Sequence, residues 1–286
     1  NMNALEIKNL TVDFGDFAIR KMNLGIKKGA VTGLVGRNGA GKSTLIKTIM
    51  RQQPATGSIL YDGKKFAEHE VEILSKTACV FDAPHFSLSA KPKKLKKAFA
   101  ALYPAFNGQM FDELCAKFNL PQDKRVVKYS LGMQRKLCII IALCQSPELL
   151  ILDEPTSGID PVDRAEVVAL LQQFMLDENH TILFSTHITE DLDKIADYIV
   201  MIENGRILLN EDKVTLTEKY RLVSAGTMTE QLRAIAIGIK QNAFGYTFIC
   251  DRPVEGEDIT CKIPTVEEVF VHLSGNNKGG GICGNE

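Results

Sequence analysis

The sequence predicts an α/β fold: a mainly parallel sheet covered by helices, interrupted by a helical insertion and followed by a small α+β extension. Two observations carry this expectation. Apolar runs at Leu149–Leu152, Thr181–Ser185 and Tyr198–Glu203 alternate with helical segments at Pro161–Asp177 and Thr189–Ala196. Continuous apolar strands separated by helices are the pattern of a sheet buried on both faces. In addition, the glycine-rich stretch Gly36–Thr44 stands between an apolar strand and a helix, where backbone amides can converge on an anion.

The elements follow in order. Residues 2–80 alternate short apolar runs with turn signals, as in Ile26–Lys28 before Gly29. Ala30–Val35 is a buried-strand candidate, and Lys42–Arg51 a helix with Leu45, Ile46, Ile49 and Met50 along one stripe. Residues 85–147 lack strand signals and carry helical spacing, for example Leu114, Cys115 and Phe118 before Pro121. Beyond residue 213, Arg221–Val223, Leu232–Ile239 and Tyr246–Cys250 read as short strands. Pro264–Glu268 is a capping-box start, after which Val266, Val269, Phe270 and Leu273 share a helical face. The expected division is a main domain over 2–213 with the insertion at about 85–147, an accessory domain over 214–275, and a flexible tail over 276–286.

Composition removes several classes. With 286 residues, 45% hydrophobic and 24% charged, the chain can bury a substantial core, which disordered and disulfide-scaffold sequences cannot. Thirty-four basic and 35 acidic residues leave a net charge of −1, so no global field favours nucleic acid. The apolar run Leu137–Cys144 is among the longest and stops at eight residues, far short of a spanning helix. Seven cysteines without a C-x-x-C pair read as small buried hydrophobes of a reducing compartment. A soluble chain is expected.

The candidate site residues start with Gly36, Asn38, Gly39, Ala40, Gly41, Lys42, Ser43 and Thr44. Glycines here admit backbone angles and close approach that side chains forbid, so successive N–H groups can face phosphate oxygens. The helix N-terminus adds its dipole, Lys42 a point charge for β- and γ-phosphates, and Ser43 a hydroxyl for Mg²⁺. Thr44 can support neighbouring phosphate oxygens. The apolar run Leu149–Leu152 ends in Asp153 and Glu154. A central parallel strand delivers such acids to the carboxyl edge of the sheet, Asp153 for Mg²⁺ and Glu154 to orient or deprotonate water.

Ser130 occupies an N-cap position before a strongly apolar helix, which makes a second anion site. One nucleotide does not need two phosphate-binding helix ends in one chain, so Ser130 is expected to face the nucleotide of a neighbouring subunit.

Together these motifs resemble the nucleotide-binding subunit of an ATP-binding cassette (ABC) transporter. Gly36–Thr44 matches the Walker A loop, Tyr129–Met133 the family signature and Leu149–Glu154 the Walker B strand. Ser157–Asp160 resembles the D-loop, and Ser185–His187 the switch-histidine segment. The resemblance spans roughly residues 5–212. It implies a P-loop NTPase core with a mixed, mainly parallel sheet, an antiparallel edge sheet and a helical signature subdomain. It further implies head-to-tail pairing with an identical or paralogous subunit, ATP lying between Lys42 of one copy and Ser130 and Gly132 of the other. His187 would then contact the γ-phosphate, Asp160 would link the two sites, and Phe14 would stack on adenine, with Phe17 as its rival. Membrane-spanning subunits, ATP with Mg²⁺, and a peripheral place on the cytoplasmic face of the membrane are implied as well. The variant signature Tyr-Ser-Leu-Gly-Met, with Pro264–Leu273, is similar to ABC-2 type subunits, often bacterial exporters.

The alternative is an ABC-type ATPase acting on ribosomes or DNA. Single-chain ribosomal relatives carry two cassettes, whereas this chain has one Walker A loop, and chromosome-organising relatives insert long coiled coils where only 85 residues separate Thr44 from Ser130. Repair relatives carry zinc modules, for which no suitable cysteine pairs occur. No nucleic-acid partner is therefore expected.

Two departures stand out. Asp82 takes the place of a glutamine that touches Mg²⁺ in many relatives. A carboxylate can ligate Mg²⁺ but adds negative charge beside three phosphates. The run Lys91–Lys97 is either a solvated helix face or a surface for acidic partner loops or anionic lipid.

Overall fold

The computed structural model describes residues 2–274; the expected tail at 276–286 lies outside the described residues. The chain divides into two compact units, Asn1–Ile207 and Leu208–Glu286.

The first unit opens with β1 (Asn3–Asp13) and β2 (Ala18–Lys27), then β3 (Val31–Val35), α1 (Lys42–Ile49), β4 (Thr56–Tyr61), β5 (Lys64–Lys65), α2 (Phe66–Lys76) and β6 (Thr77–Val80). Three helices follow, α3 (Pro92–Leu102), α4 (Gly108–Lys117) and α5 (Leu131–Leu143). The alternation resumes with β7 (Leu149–Asp153), α6 (Pro161–Phe174), β8 (Thr181–Thr186), α7 (Thr189–Ile195) and β9 (Tyr198–Glu203), and the division between the units falls within β10 (Arg206–Asp212). An antiparallel sheet of order β2-β1-β4-β5 stands beside a six-stranded sheet of order β10-β9-β3-β8-β7-β6. In the latter, β9, β3, β8, β7 and β6 run parallel.

Every side chain of β3 and β7 is buried, as is that of each β8 residue, which is why these strands read as unbroken apolar runs. The core joins both sheets: Leu5, Ile7, Ile19 and Ile26 of the edge sheet pack with Leu34, Leu45, Ile46 and Ile49. Parallel register then sets the site. Val35 lies opposite Thr186, and Asp153 opposite Ser185, so the residues that follow β3, β7 and β8 emerge at one edge. Among the described residues, no helix is long and apolar enough to cross a membrane.

The second unit contains α8 (Lys213–Lys219), β11 (Arg221–Ala225), α9 (Glu230–Ile235), β12 (Ile237–Asn242), β13 (Gly245–Cys250), β14 (Ile259–Lys262) and α10 (Val266–Leu273). Its sheet has order β12-β13-β11-β14 and is antiparallel. The single strand expected at Leu232–Ile239 is instead the end of α9, a break, and the start of β12. The Thr229 side chain accepts from the Leu232 amide at 3.2 Å and starts a helix, so a local cap outweighs the β-propensity of the isoleucines. The capping box at α10 is present in full, with Thr265 and Glu268 exchanging hydrogen bonds at 3.2 and 2.8 Å.

Candidate functional site: a phosphate-binding cleft

Gly36–Gly41 carries the chain from β3 into α1. Backbone crowding dictates its glycines. A β-carbon on Gly36 would lie 2.4 Å from the Ile202 carbonyl oxygen, and Gly41 has a φ of 110° with Phe17 2.7 Å from where its β-carbon would be. No side chain caps α1, which leaves its first amides to whatever anion the loop receives.

Lys42 is buried at 5% exposure, and its Nζ donates to the carbonyls of Gly36 at 2.7 Å and Arg37 at 3.3 Å. Among the described residues its carboxylate partner is Glu154, with Oε1 at 3.2 Å. A buried ammonium held by carbonyls and one carboxylate can exchange that carboxylate for a phosphate oxygen.

Glu154 stands just past β7 with a φ of 51°, a left-handed turn uncommon for a residue with a side chain. This turn is pinned by Ser185, whose Oγ accepts the Glu154 amide at 3.0 Å and donates to Asp153 Oδ1 at 2.6 Å. Asp153 Oδ1 also accepts from Ser43 Oγ at 3.1 Å. His187, one residue past β8, places Nδ1 2.7 Å from Glu154 Oε2. Ser185 was not singled out from the sequence, although it stands in the switch segment; the signal was a small hydroxyl residue opposite Asp153 in the parallel register.

An open cleft of about 620 Å³ joins these groups, lined among others by Phe14, Phe17, Asn38–Thr44, Asp82, Glu154, Ser157 and His187. Phe14 is 52% exposed, whereas Phe17 packs partly against the core; both border the cleft. Asp82 faces it too, but its carboxylate is paired with Arg135 of α5, which also donates to the Phe81 carbonyl at 3.2 Å.

Ser130, Gly132 and Asp160 do not line this cleft. Ser130 caps α5 by accepting the Met133 amide at 3.1 Å. Asp160 caps α6 through the amides of Val162 and Asp163, each at 2.9 Å. The Asp163 amide, seconded by that of Val162, holds the Asp160 carboxyl below the ordinary carboxylate range.

Among the described residues no cluster of three or more His, Cys, Asp or Glu is arranged to hold a metal. The donors present are one buried carboxylate, Asp153, and the Ser43 hydroxyl. That set fits Mg²⁺, which keeps waters and substrate phosphates as its other ligands, and does not fit zinc or an all-protein calcium cage.

Residues 19–157 match a family model described as ABC transporter. The chain is 35% identical over 212 residues to the lantibiotic transport ATP-binding protein SrtF of Streptococcus pyogenes, covering 73% of this chain and 90% of that protein. It is 31% identical over 221 residues to the bacitracin transport ATP-binding protein BcrA of Enterococcus faecalis, covering 76% and 71%. A solved ATP-binding subunit of an ABC transporter superposes with a TM-score of 0.66 at 25% identity, over 73% of this chain and 90% of that one. With the phosphate loop, the acid-ended strand and the histidine on one sheet edge, the chain belongs to the ABC transporter family, as an ATP-binding subunit that hydrolyses ATP to power transport.

Proposed function

We propose that this chain hydrolyses ATP in the Gly36–Thr44 cleft, that a second ABC subunit completes the site, and that the cycle drives export through membrane-spanning partners. The observation that supports it is the meeting of Lys42, Glu154 and His187, with Glu154 held at 3.2 and 2.7 Å by the other two.

In this reading the loop amides and Lys42 receive the β- and γ-phosphates. Arrival of the triphosphate draws Lys42 away from Glu154 and frees that carboxylate to take a proton from the attacking water, a role worth about 10²–10⁴ in rate. His187 orients the Glu154 carboxylate and reaches the γ-phosphate. Ser43 and Asp153 would hold Mg²⁺, with Asp82 facing the same cleft; the ion supplies charge neutralisation along the phosphates. Phe14 offers its exposed ring to the base.

Ser130 and Gly132 sit outside the cleft, which is the placement expected if they serve the nucleotide of a second copy, with Asp160 beside them. Export is the direction suggested by the resemblance of Tyr129–Met133 and Pro264–Leu273 to ABC-2 type exporter subunits. Attachment to membrane subunits at the inner surface of the membrane follows from the same likeness.

Steady-state hydrolysis by wild type, Lys42→Ala and Glu154→Gln tests the site. The expected result is weakened nucleotide binding for Lys42→Ala, and retained binding with turnover at least about 10²-fold lower for Glu154→Gln. Normal turnover by Glu154→Gln would remove the base assignment.

A further inference from the structure

The charge of this chain is segregated. Residues 85–147 carry 11 basic and three acidic side chains, a net of +8 within a chain of net −1. The structure neutralises part of that excess internally. Lys93 pairs with Asp123, and Lys96 meets Asp112 at 2.6 Å. Arg135 pairs with Asp82, and Lys136 with Asp163 and Glu166.

Lys94, Lys97, Lys124, Arg125 and Lys128 remain exposed and form no ion pair among the described residues. They come from two separated segments that the fold binds together. The Val126 amide donates to the Ala90 carbonyl at 3.0 Å, the Val127 amide to Leu88 at 2.7 Å, and the Lys93 amide to Gln122 at 3.4 Å. Residues 124–128 therefore lie along the start of α3, and Lys94 and Lys97, three apart, share its outer face. Val127, 57% exposed, stands among the cations. The lysine run read from the sequence is thus half of a larger face whose other half precedes the signature.

We infer that this face is an electrostatic contact for an anionic lipid surface. The residue types favour a bilayer over a folded partner. Four of the five cations are lysines and the adjoining aromatic, Tyr129, is buried, whereas protein interfaces are enriched in arginine and aromatics and depleted in lysine. Lysine is a mobile point charge suited to laterally mobile headgroups, while the fixed arginine fork suits a fixed carboxylate or phosphate. Each such cation is drawn to the negative surface of an anionic leaflet, and one exposed valine adds a shallow apolar contact. The inference rests on the proposed membrane-attached role, but its test needs no nucleotide.

The test is co-sedimentation of the full chain with vesicles of phosphatidylcholine alone and of phosphatidylcholine with about one-third phosphatidylglycerol, at low and at high salt. The comparison protein is the variant Lys94→Gln, Lys97→Gln, Lys124→Gln, Arg125→Gln. Wild type should bind anionic vesicles at least about tenfold better than neutral ones at low salt, and lose that preference at high salt. The variant should fall to the neutral-vesicle level while hydrolysing ATP at the wild-type rate. Equal binding to both vesicle types, binding to neither, or undiminished binding by the variant overturns the inference. So does tighter binding, under the same salt, to poly-glutamate or duplex DNA, which would assign the face to an acidic protein segment or to nucleic acid. Loss of ATP hydrolysis in wild type with intact lipid binding would instead strike the proposed function alone.

Discussion

Gly132 leaves no room for a side chain against Asp163: a β-carbon at that position would lie 1.7 Å from the Asp163 Oδ2. The same carboxylate accepts Lys136 Nζ at 2.7 Å through its other oxygen, and Glu166 accepts it at 2.5 Å. Helix α5, which begins after Ser130, is thereby locked to α6, which Asp160 caps. On α6 the next residue, Arg164, reaches the other way, to Asp191 of α7 at 2.7 Å, and Asp191 accepts from Thr156 at 2.5 Å. Asp163 and Arg164 thus tie the signature helix and the helix after His187 to one element.

Gly132→Ala should push α5 away from Asp163. Misplacement by about an ångström costs on the order of 10² in rate, so kcat should fall by at least about tenfold while ATP affinity, set by Lys42 and its loop, changes little. Equilibrium nucleotide binding beside steady-state kinetics checks this.

Lys136→Met removes a buried ammonium and strands two carboxylates. Burial alone would lower the Lys136 pKa, but the hydrogen bonds it donates to Asp163 and Glu166 reverse that and leave it raised. Breaking a buried pair costs about 3–5 kcal/mol, and partial exposure of Glu166 places this one near the low end. Urea unfolding of the two proteins should show a loss of about 3 kcal/mol.

Ser185→Ala tests the missed residue. Its hydroxyl both donates to Asp153 and accepts the Glu154 amide, so its loss frees the left-handed turn at Glu154 and removes a donor from a buried carboxylate. We expect kcat to fall about tenfold with a higher Mg²⁺ requirement, as when support behind a metal ligand is removed. An unchanged Mg²⁺ dependence would argue for a purely structural serine.

Much of the site was legible because its chemistry is local. A glycine loop, a lysine and a hydroxyl in nine residues define the phosphate cradle wherever they fold. Asp153, Glu154 and His187 were legible because apolar parallel strands announce where they end. Ser185 and the Lys136–Asp163 lock were not, since they depend on pairing between strands or helices far apart in sequence. The Asp82–Arg135 pair joins residues on either side of two helices, and no spacing rule connects them. In the second unit, Leu232–Ile239 carried the wrong period because a threonine cap decided the matter before the isoleucines could.

His272 gives the second unit a pH dependence. Burial lowers its pKa below the usual 6.5, with the Gly238 carbonyl partly opposing that shift, and its Nδ1 lies 2.6 Å from the Gly238 oxygen. A base whose pKa is depressed by folding contributes stability above the unfolded value, and that contribution is lost as pH falls through the folded value. Amide exchange in β12 and α10 should accelerate as pH falls below 6.5, beyond the intrinsic pH effect on exchange. In His272→Gln that extra acceleration should vanish.

The most direct measurement is sedimentation velocity of Glu154→Gln with ATP and Mg²⁺. If Lys42 of one copy and Ser130 of another grip a single nucleotide, the stalled variant sediments as a dimer, and Ser130→Arg in the same background returns it to monomer. A Glu154→Gln protein that remains monomeric with ATP bound, in the presence of its membrane partners as well as alone, contradicts the shared site.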